Sequence, residues 1–220
     1  GPWKLRVRWP DGRFQEAAVT TTNQSCEFHS LGATSAPVMV RAAGTPWFED
    51  ISDRLGHVHR SEVFDEFPRQ PLLPRRLGTE GPAAAWADVD GDGREELVLP
   101  GGNQGRMEVF KVLPGPRFEQ IHQIASPRAQ PMAVPWNGGL LISDSVYADG
   151  AARGSSLVAW PGGQPALAAE AAAVGALAMA DLDHDGRLEV FLAGRVVPGA
   201  WPRDPGSRVL TVTPQGFEVR

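Results

Sequence analysis

Asp88-Val89-Asp90-Gly91-Asp92-Gly93-Arg94-Glu95-Glu96, followed at once by the apolar run Leu97-Val98-Leu99, is the stretch from which the fold is read. The carboxylates of Asp88, Asp90, Asp92 and Glu96 repel one another, so a loop that gathers them makes sense around a hard cation, calcium being the first candidate. Side chains at loop positions one, three and five converge when the chain coils tightly, and Gly93 at position six permits the bend. Arg94 at position seven then offers its backbone carbonyl, and Glu96 at position nine closes the shell.

A second copy, Asp181-Leu182-Asp183-His184-Asp185-Gly186-Arg187-Leu188-Glu189, runs into Val190-Phe191-Leu192 at an offset of 93 residues (Asp88 to Asp181). Residues 85–101 align on 178–194 without a gap, which marks an internal repeat. Its expected ligands are Asp181, Asp183, Asp185 and Glu189 with the Arg187 carbonyl. Two calcium ions are therefore expected.

The alternative of a helix-loop-helix calcium hand fails on the residues. Such a hand needs a bidentate Glu at loop position twelve, where this chain has Leu99 and Leu192. Gly81-Pro82 stands too close before the first loop for an entering helix, and each exit run is short and apolar, as in a buried strand. Each acidic loop is thus read as the turn of a β-hairpin.

Composition agrees with that reading. With 25 glycines and 20 prolines in 220 residues, and 42% apolar residues, the chain suits many short strands around a core. A net charge of −5 argues against a nucleic-acid footprint, and no run approaches the roughly 18 apolar residues of a membrane span. The single cysteine, Cys26, excludes an internal disulfide. Gly1-Pro2 looks like the remnant of a cleaved tag, and the chain stops in a strand-like stretch, 217–220, so it reads as a piece of a longer protein.

Taken in order, residues 3–9 alternate polar and apolar, Pro10-Asp11-Gly12 turns, and 14–22 return as a hairpin, with strand-like 25–31 beyond. Strands are expected at 83–87, 97–99, 106–112 and 118–123, and again at 177–180, 190–192, 208–212 and 217–220. Each set of four antiparallel strands makes one propeller blade. Between them 132–134, the turn Asn137-Gly138-Gly139, 140–143 and 157–160 outline a degenerate blade whose acidic loop has become an Asn-Gly turn. Blade starts at Ala83, Met132 and Leu177 are spaced 49 and 45 residues apart, close to a propeller repeat. The Ala-rich stretch 166–180 has helical propensity, but the repeat demands a strand leading into Asp181.

Two further sets of residues carry a resemblance. The block from Val7 to Gln15 with Asn23-Gln24 resembles the ASPIC/UnbV module of the cartilage acidic protein family and its bacterial relatives. Pro46-Trp47-Phe48-Glu49-Asp50-Ile51-Ser52, Phe64-Asp65-Glu66-Phe67, Gln70-Pro71-Leu72-Leu73-Pro74 and Leu77-Gly78-Thr79-Glu80-Gly81-Pro82 are similar to the segments that follow it there. The acidic loops resemble FG-GAP/VCBS repeats, the blades of calcium-binding propellers. The middle repeat departs from that pattern, since Asp144 and Asp149-Gly150 are too far apart to rebuild an acidic loop. The resemblance implies an all-β chain with an ASPIC/UnbV-like module at 1–44 and a connector at 45–79. A partial propeller of about three four-stranded blades follows at 80–220, divided at 80–125, 126–170 and 171–220.

The one constellation with catalytic potential is His57-Val58-His59 with Glu62 and Asp65, since histidines two apart on a strand face one side. No third ligand or nucleophile stands at a recognisable spacing, so these residues read as a polar connector in which Asp65 and Arg69 form surface or connector pairs. The Gly-rich 100–105 lies between two strands and so lacks the helix N-terminus that holds a phosphate. Of Trp86, Trp136, Trp160 and Trp201, at least half are expected to fill space between blades rather than stack on sugars.

The expectation is a non-enzymatic, calcium-binding propeller fragment of a secreted, cell-surface or periplasmic protein, a scaffold for protein or glycan ligands with a role in cell adhesion. The alternative is a part of a polysaccharide-acting or secondary-metabolite pathway enzyme or accessory protein. Three blades fall short of the four to eight of a closed ring, so an open arc, partly covered by the N-terminal strands or associating with other copies, is expected. Both loops should then share one rim.

Overall fold

The computed structural model describes residues 3–35, 46–78, 80–115, 117–149, 155–162, 164–168, 172–213 and 216–220. Gly1-Pro2, Gly150, the middle of the Ala-rich stretch and the boundaries expected at 44/45 and 170/171 lie outside these residues, as does Thr79 at 79/80. The chain divides into two compact units, Gly1–Asp50 and Ile51–Arg220.

In the first unit, β1 (Trp3–Arg8) pairs antiparallel with β2 (Phe14–Val19), from Trp3 opposite Val19 to Arg8 opposite Phe14. The turn is fixed by Gly12 in the left-handed region (φ 85°) and by Asp11, whose carboxylate accepts the Arg13 N–H at 3.0 Å. The expected strand at 25–31 does not form. A 3₁₀ turn at Ser30–Gly32 and a lone bridge between Phe14 and Thr34 stand there instead. Leu31 is almost fully exposed and Cys26 is exposed, so no apolar face rewards a ladder at that point.

The second unit is three four-stranded antiparallel sheets, each a simple meander. The first holds β3 (Ala85–Ala87), β4 (Glu96–Leu99), β5 (Gly105–Leu113) and β6 (Arg117–Ser126). The middle sheet holds β7 (Ala133–Trp136), β8 (Gly139–Ser143), β9 (Ser155–Trp160) and β10 (Gln164–Ala168). The third holds β11 (Ala173–Ala180), β12 (Glu189–Val196), β13 (Arg208–Thr213) and β14 (Gly216–Val219). The three first strands adjoin in series, β3 beside β7 and β7 beside β11, which is the arrangement of propeller blades around a centre. The fold is an all-β partial propeller.

The core lies between blades. Every residue of β8 is buried, because this strand is covered on both faces. Leu140 and Ile142 join Ala87, Val98, Met107 and Val109 of the first blade, whereas Leu141 joins Leu177, Val190, Leu192 and Leu210 of the third. The alternation is the period of two along a strand. Trp160 and Trp136 pack against these two clusters, while Trp86 and Trp201 remain substantially exposed. The helical propensity of the Ala-rich stretch is overridden at both described ends: β10 completes the middle blade, and β11 buries Val174 and Leu177 against it. The strand at 164–168 has no counterpart among those expected from the sequence.

From Ile51 on, the connector belongs with the blades. After the one-turn helix α1 (Ser52–Leu55), ended by Gly56 at φ 66°, the chain runs across the turn between β4 and β5. A Cβ on Gly102 or on Gly105 would lie 2.5 Å from the Arg60 carbonyl oxygen. The glycines of 100–105 thus serve close backbone approach. Further on, Glu66 is buried, accepts the N–H groups of Leu77 and Gly78, and receives the Tyr147 hydroxyl. Gln70 donates to Tyr147 Oη at 3.0 Å and accepts the Trp201 N–H at 3.1 Å, tying the connector to two blades. Arg69 donates to the Tyr147 carbonyl at 3.1 Å instead of meeting Asp65, whose carboxylate accepts the Phe67 N–H.

Candidate metal centres

Each acidic loop is a coil of Asx-type hydrogen bonds, and the two coils share four of them, differing at the position-one aspartate, where Asp88 Oδ1 accepts the Gly91 N–H at 2.8 Å and Asp181 Oδ1 the Asp185 N–H at 3.2 Å. Asp88 Oδ2 accepts the Gly93 N–H at 2.9 Å, and Asp181 Oδ2 accepts the Gly186 N–H at 3.0 Å. Position three accepts from position five, through Asp90 to Asp92 at 3.1 Å and Asp183 to Asp185 at 3.2 Å. Position five accepts from position seven, through Asp92 to Arg94 at 2.9 Å and Asp185 to Arg187 at 2.8 Å. Position nine folds back on position two: Glu96 Oε2 accepts the Val89 N–H at 3.0 Å, and Glu189 Oε2 the Leu182 N–H at 2.8 Å. The bend needs left-handed backbone at position six, met by Gly93 (φ 84°) and Gly186 (φ 86°).

This coil brings together Asp88, Asp90 and Glu96 in one loop and Asp181, Asp183 and Glu189 in the other, each triad offering carboxylate oxygens within 4.8 Å of one another. The third aspartate of each loop stands outside the triad. One oxygen of Asp92 is used by the Arg94 N–H, and the other lies 2.5 Å from Lys111 Nζ. That ammonium holds the Asp92 carboxyl below its ordinary range. Lys111 also reaches Asp90 Oδ2 at 2.7 Å, and in the third blade Arg220 reaches Asp183 Oδ2 at 2.9 Å.

Glu96 and Glu189 are buried, at 0% and 2% exposure. Among the described residues, Glu96 Oε1 has no hydrogen-bond donor. A carboxyl oxygen removed from water without a partner is costly, and a cation held by the triad would remove the cost. Both triads can hold a metal ion, and their all-oxygen donor sets suit a hard one.

The middle blade has no such cluster among the described residues. Its β7–β8 turn is Asn137-Gly138, with φ 48° and 72°, the two-residue hairpin turn that Asn-Gly favours. Asp144 follows β8 at the end away from that turn, and Arg128 engages both Asp144, at 3.1 Å, and Asp149, at 2.6 Å. All three first turns share one rim. Asp88, Glu95, Asn137, Gly138, Arg187 and Leu188 are among the residues lining a single cavity of about 550 Å³.

The His57 constellation does not converge. His57 Nδ1 lies 2.6 Å from Glu108 Oε2, and Gln123 donates to the other oxygen of Glu108 at 3.0 Å. The His57 and His59 rings are 6.2 Å apart, and burial keeps His59 below the usual imidazole range. The Glu62 N–H donates to the Asn103 carbonyl at 2.8 Å, so this stretch fastens the connector to the first blade.

Sequence reasoning missed Lys111. It lies on β5 one register step beyond Phe110 opposite Leu97, hence across from Glu96, and only a correct β4–β5 register reveals it. Comparison of the chain with protein-family models, curated proteins and solved structures finds no match.

Proposed function

We propose that each triad binds one calcium ion. On this reading the chain is a calcium-stabilised, non-catalytic fragment of an FG-GAP/VCBS-like propeller, preceded by an ASPIC/UnbV-like module, in a secreted or cell-surface protein. Its role is that of a scaffold for a protein or glycan ligand. The observation that carries the metal reading is Glu96, fully buried, with one carboxylate oxygen lacking a donor and the other fixed to its own loop. Twofold repetition of the same coil supports it.

Asp88, Asp90 and Glu96 would hold one ion and Asp181, Asp183 and Glu189 the other, with the Arg94 and Arg187 carbonyls as the remaining protein oxygens. Flexible, oxygen-only coordination favours calcium over magnesium, which demands a stricter octahedron and keeps more water. The ion supplies charge neutralisation at the turn, so its effect is on stability. At an affinity typical of extracellular modules, about 10⁻⁴ M, millimolar calcium contributes roughly 1.4 kcal/mol per site. Melting in calcium should exceed melting in chelator by about 3–5 °C per site. Glu96→Gln should remove one increment, and identical melting under both conditions rejects the proposal.

A further inference from the structure

The two loops share most of their own hydrogen bonds, differing at one acceptor of the first aspartate, and they differ further in the charge that faces them. On β13, Thr211 pairs with Glu189. The same position on β5, across from Glu96, is Lys111. Its Nζ bridges two loop carboxylates, at 2.7 Å from Asp90 Oδ2 and 2.5 Å from Asp92 Oδ2. Asp90 is a member of the first triad. In the third blade Thr211 carries no charge, and the nearest counterpart, Arg220 from beyond β14, is half exposed and touches one carboxylate, Asp183.

We propose that Lys111 is an internal cation that competes with the metal in the first blade, so that the two sites are unequal and the third blade loads first. The inference rests on the metal reading above. Binding in the first blade requires Asp90 to release Nζ, whereas binding in the third displaces only a single solvated guanidinium contact. The first site keeps its need for a cation, because Nζ reaches Asp90 and Asp92 but leaves Glu96 Oε1 without a donor. Lys111 therefore sets the calcium concentration at which the first blade loads, while partly neutralising that loop before it does.

The test is calorimetric titration of the full chain with calcium chloride. The wild type should show two classes of site separated by roughly tenfold, the order expected for two ion-pair contacts at a partly exposed site. Lys111→Thr should tighten the weaker class toward the stronger, and Thr211→Lys should weaken the stronger class. Asp181→Asn, which disables the third blade, isolates the first site so that the effect of Lys111→Thr can be assigned to it. If Lys111→Thr folds poorly without metal, the Thr211→Lys arm decides by itself. Two equal sites in the wild type, or affinities unmoved by either exchange, overturn the role of Lys111 while leaving the metal sites intact. Absence of calcium binding in every variant overturns the metal reading and this inference with it.

Discussion

Val98 and Phe191 occupy the same position of the repeat, yet Val98 is fully buried against the middle blade whereas Phe191 is 42% exposed. The reason is that equivalent faces of successive blades point the same way around the arc. The face of the first blade that carries Val98 has a neighbour, and the matching face of the third blade, with Phe191 opposite Ala178 and Val209, is solvent-exposed at its centre. Val98→Ala should therefore cost about 2–3 kcal/mol in urea denaturation. Phe191→Ala, although a larger truncation, should cost about 1 kcal/mol. Equal or inverted costs would contradict an open third blade.

Glu80, just before the first blade, should make stability fall as pH rises. Burial pushes its carboxyl up to about 7, against the lowering influence of Arg195 and Ser145, with the Glu66 carboxylate adding to the rise. Because the folded value exceeds the unfolded one of 4.5, the folded state binds more protons between those two values, so stability is present below about 4.5 and lost through about 7. The carboxylate that forms at higher pH has Arg195 on one oxygen and, among the described residues, no donor on the other. Glu80→Gln should flatten the difference in melting temperature between pH 5 and pH 8, measured in chelator. A wild-type and variant profile that run parallel would show that Glu80 does not titrate in this window.

Gly102 marks where the connector crosses the first blade. A methyl group there would meet the Arg60 carbonyl oxygen at 2.5 Å and Ser61 Cβ at 2.5 Å, so backbone or connector must move. Gly102→Ala should destabilise by roughly 1–3 kcal/mol, as overpacking does, and should speed proteolysis within 51–78. Wild-type stability in this variant would mean that the crossing is loose.

Much of the architecture was legible because strand burial leaves a plain mark on sequence. Leu140-Leu141-Ile142 is a run without alternation, as a strand covered on both faces requires, and Asn137-Gly138 announces its turn. The acidic coils were legible because position six must be left-handed and both copies place glycine there. Of the ligand set, spacing brought out the residues of both triads, Asp88, Asp90 and Glu96 and Asp181, Asp183 and Glu189, but gave no sign that Lys111, from another strand, takes the second oxygen of Asp92. The sequence carries no sign that Glu66 is buried, because its partner, Tyr147, lies 81 residues away. Long-range polar pairing of this kind leaves no periodic signal.

The most direct test of the central claim is the number of calcium ions bound at saturation by the full chain, read by calorimetry. Two ions per chain are predicted, falling to one in Glu96→Gln, to one in Glu189→Gln and to none in the double variant, since each glutamate closes one triad. Asn137-Gly138 gives the middle blade no share in the count. A count of zero in the wild type, a count of three, or a count that survives both substitutions would contradict the account.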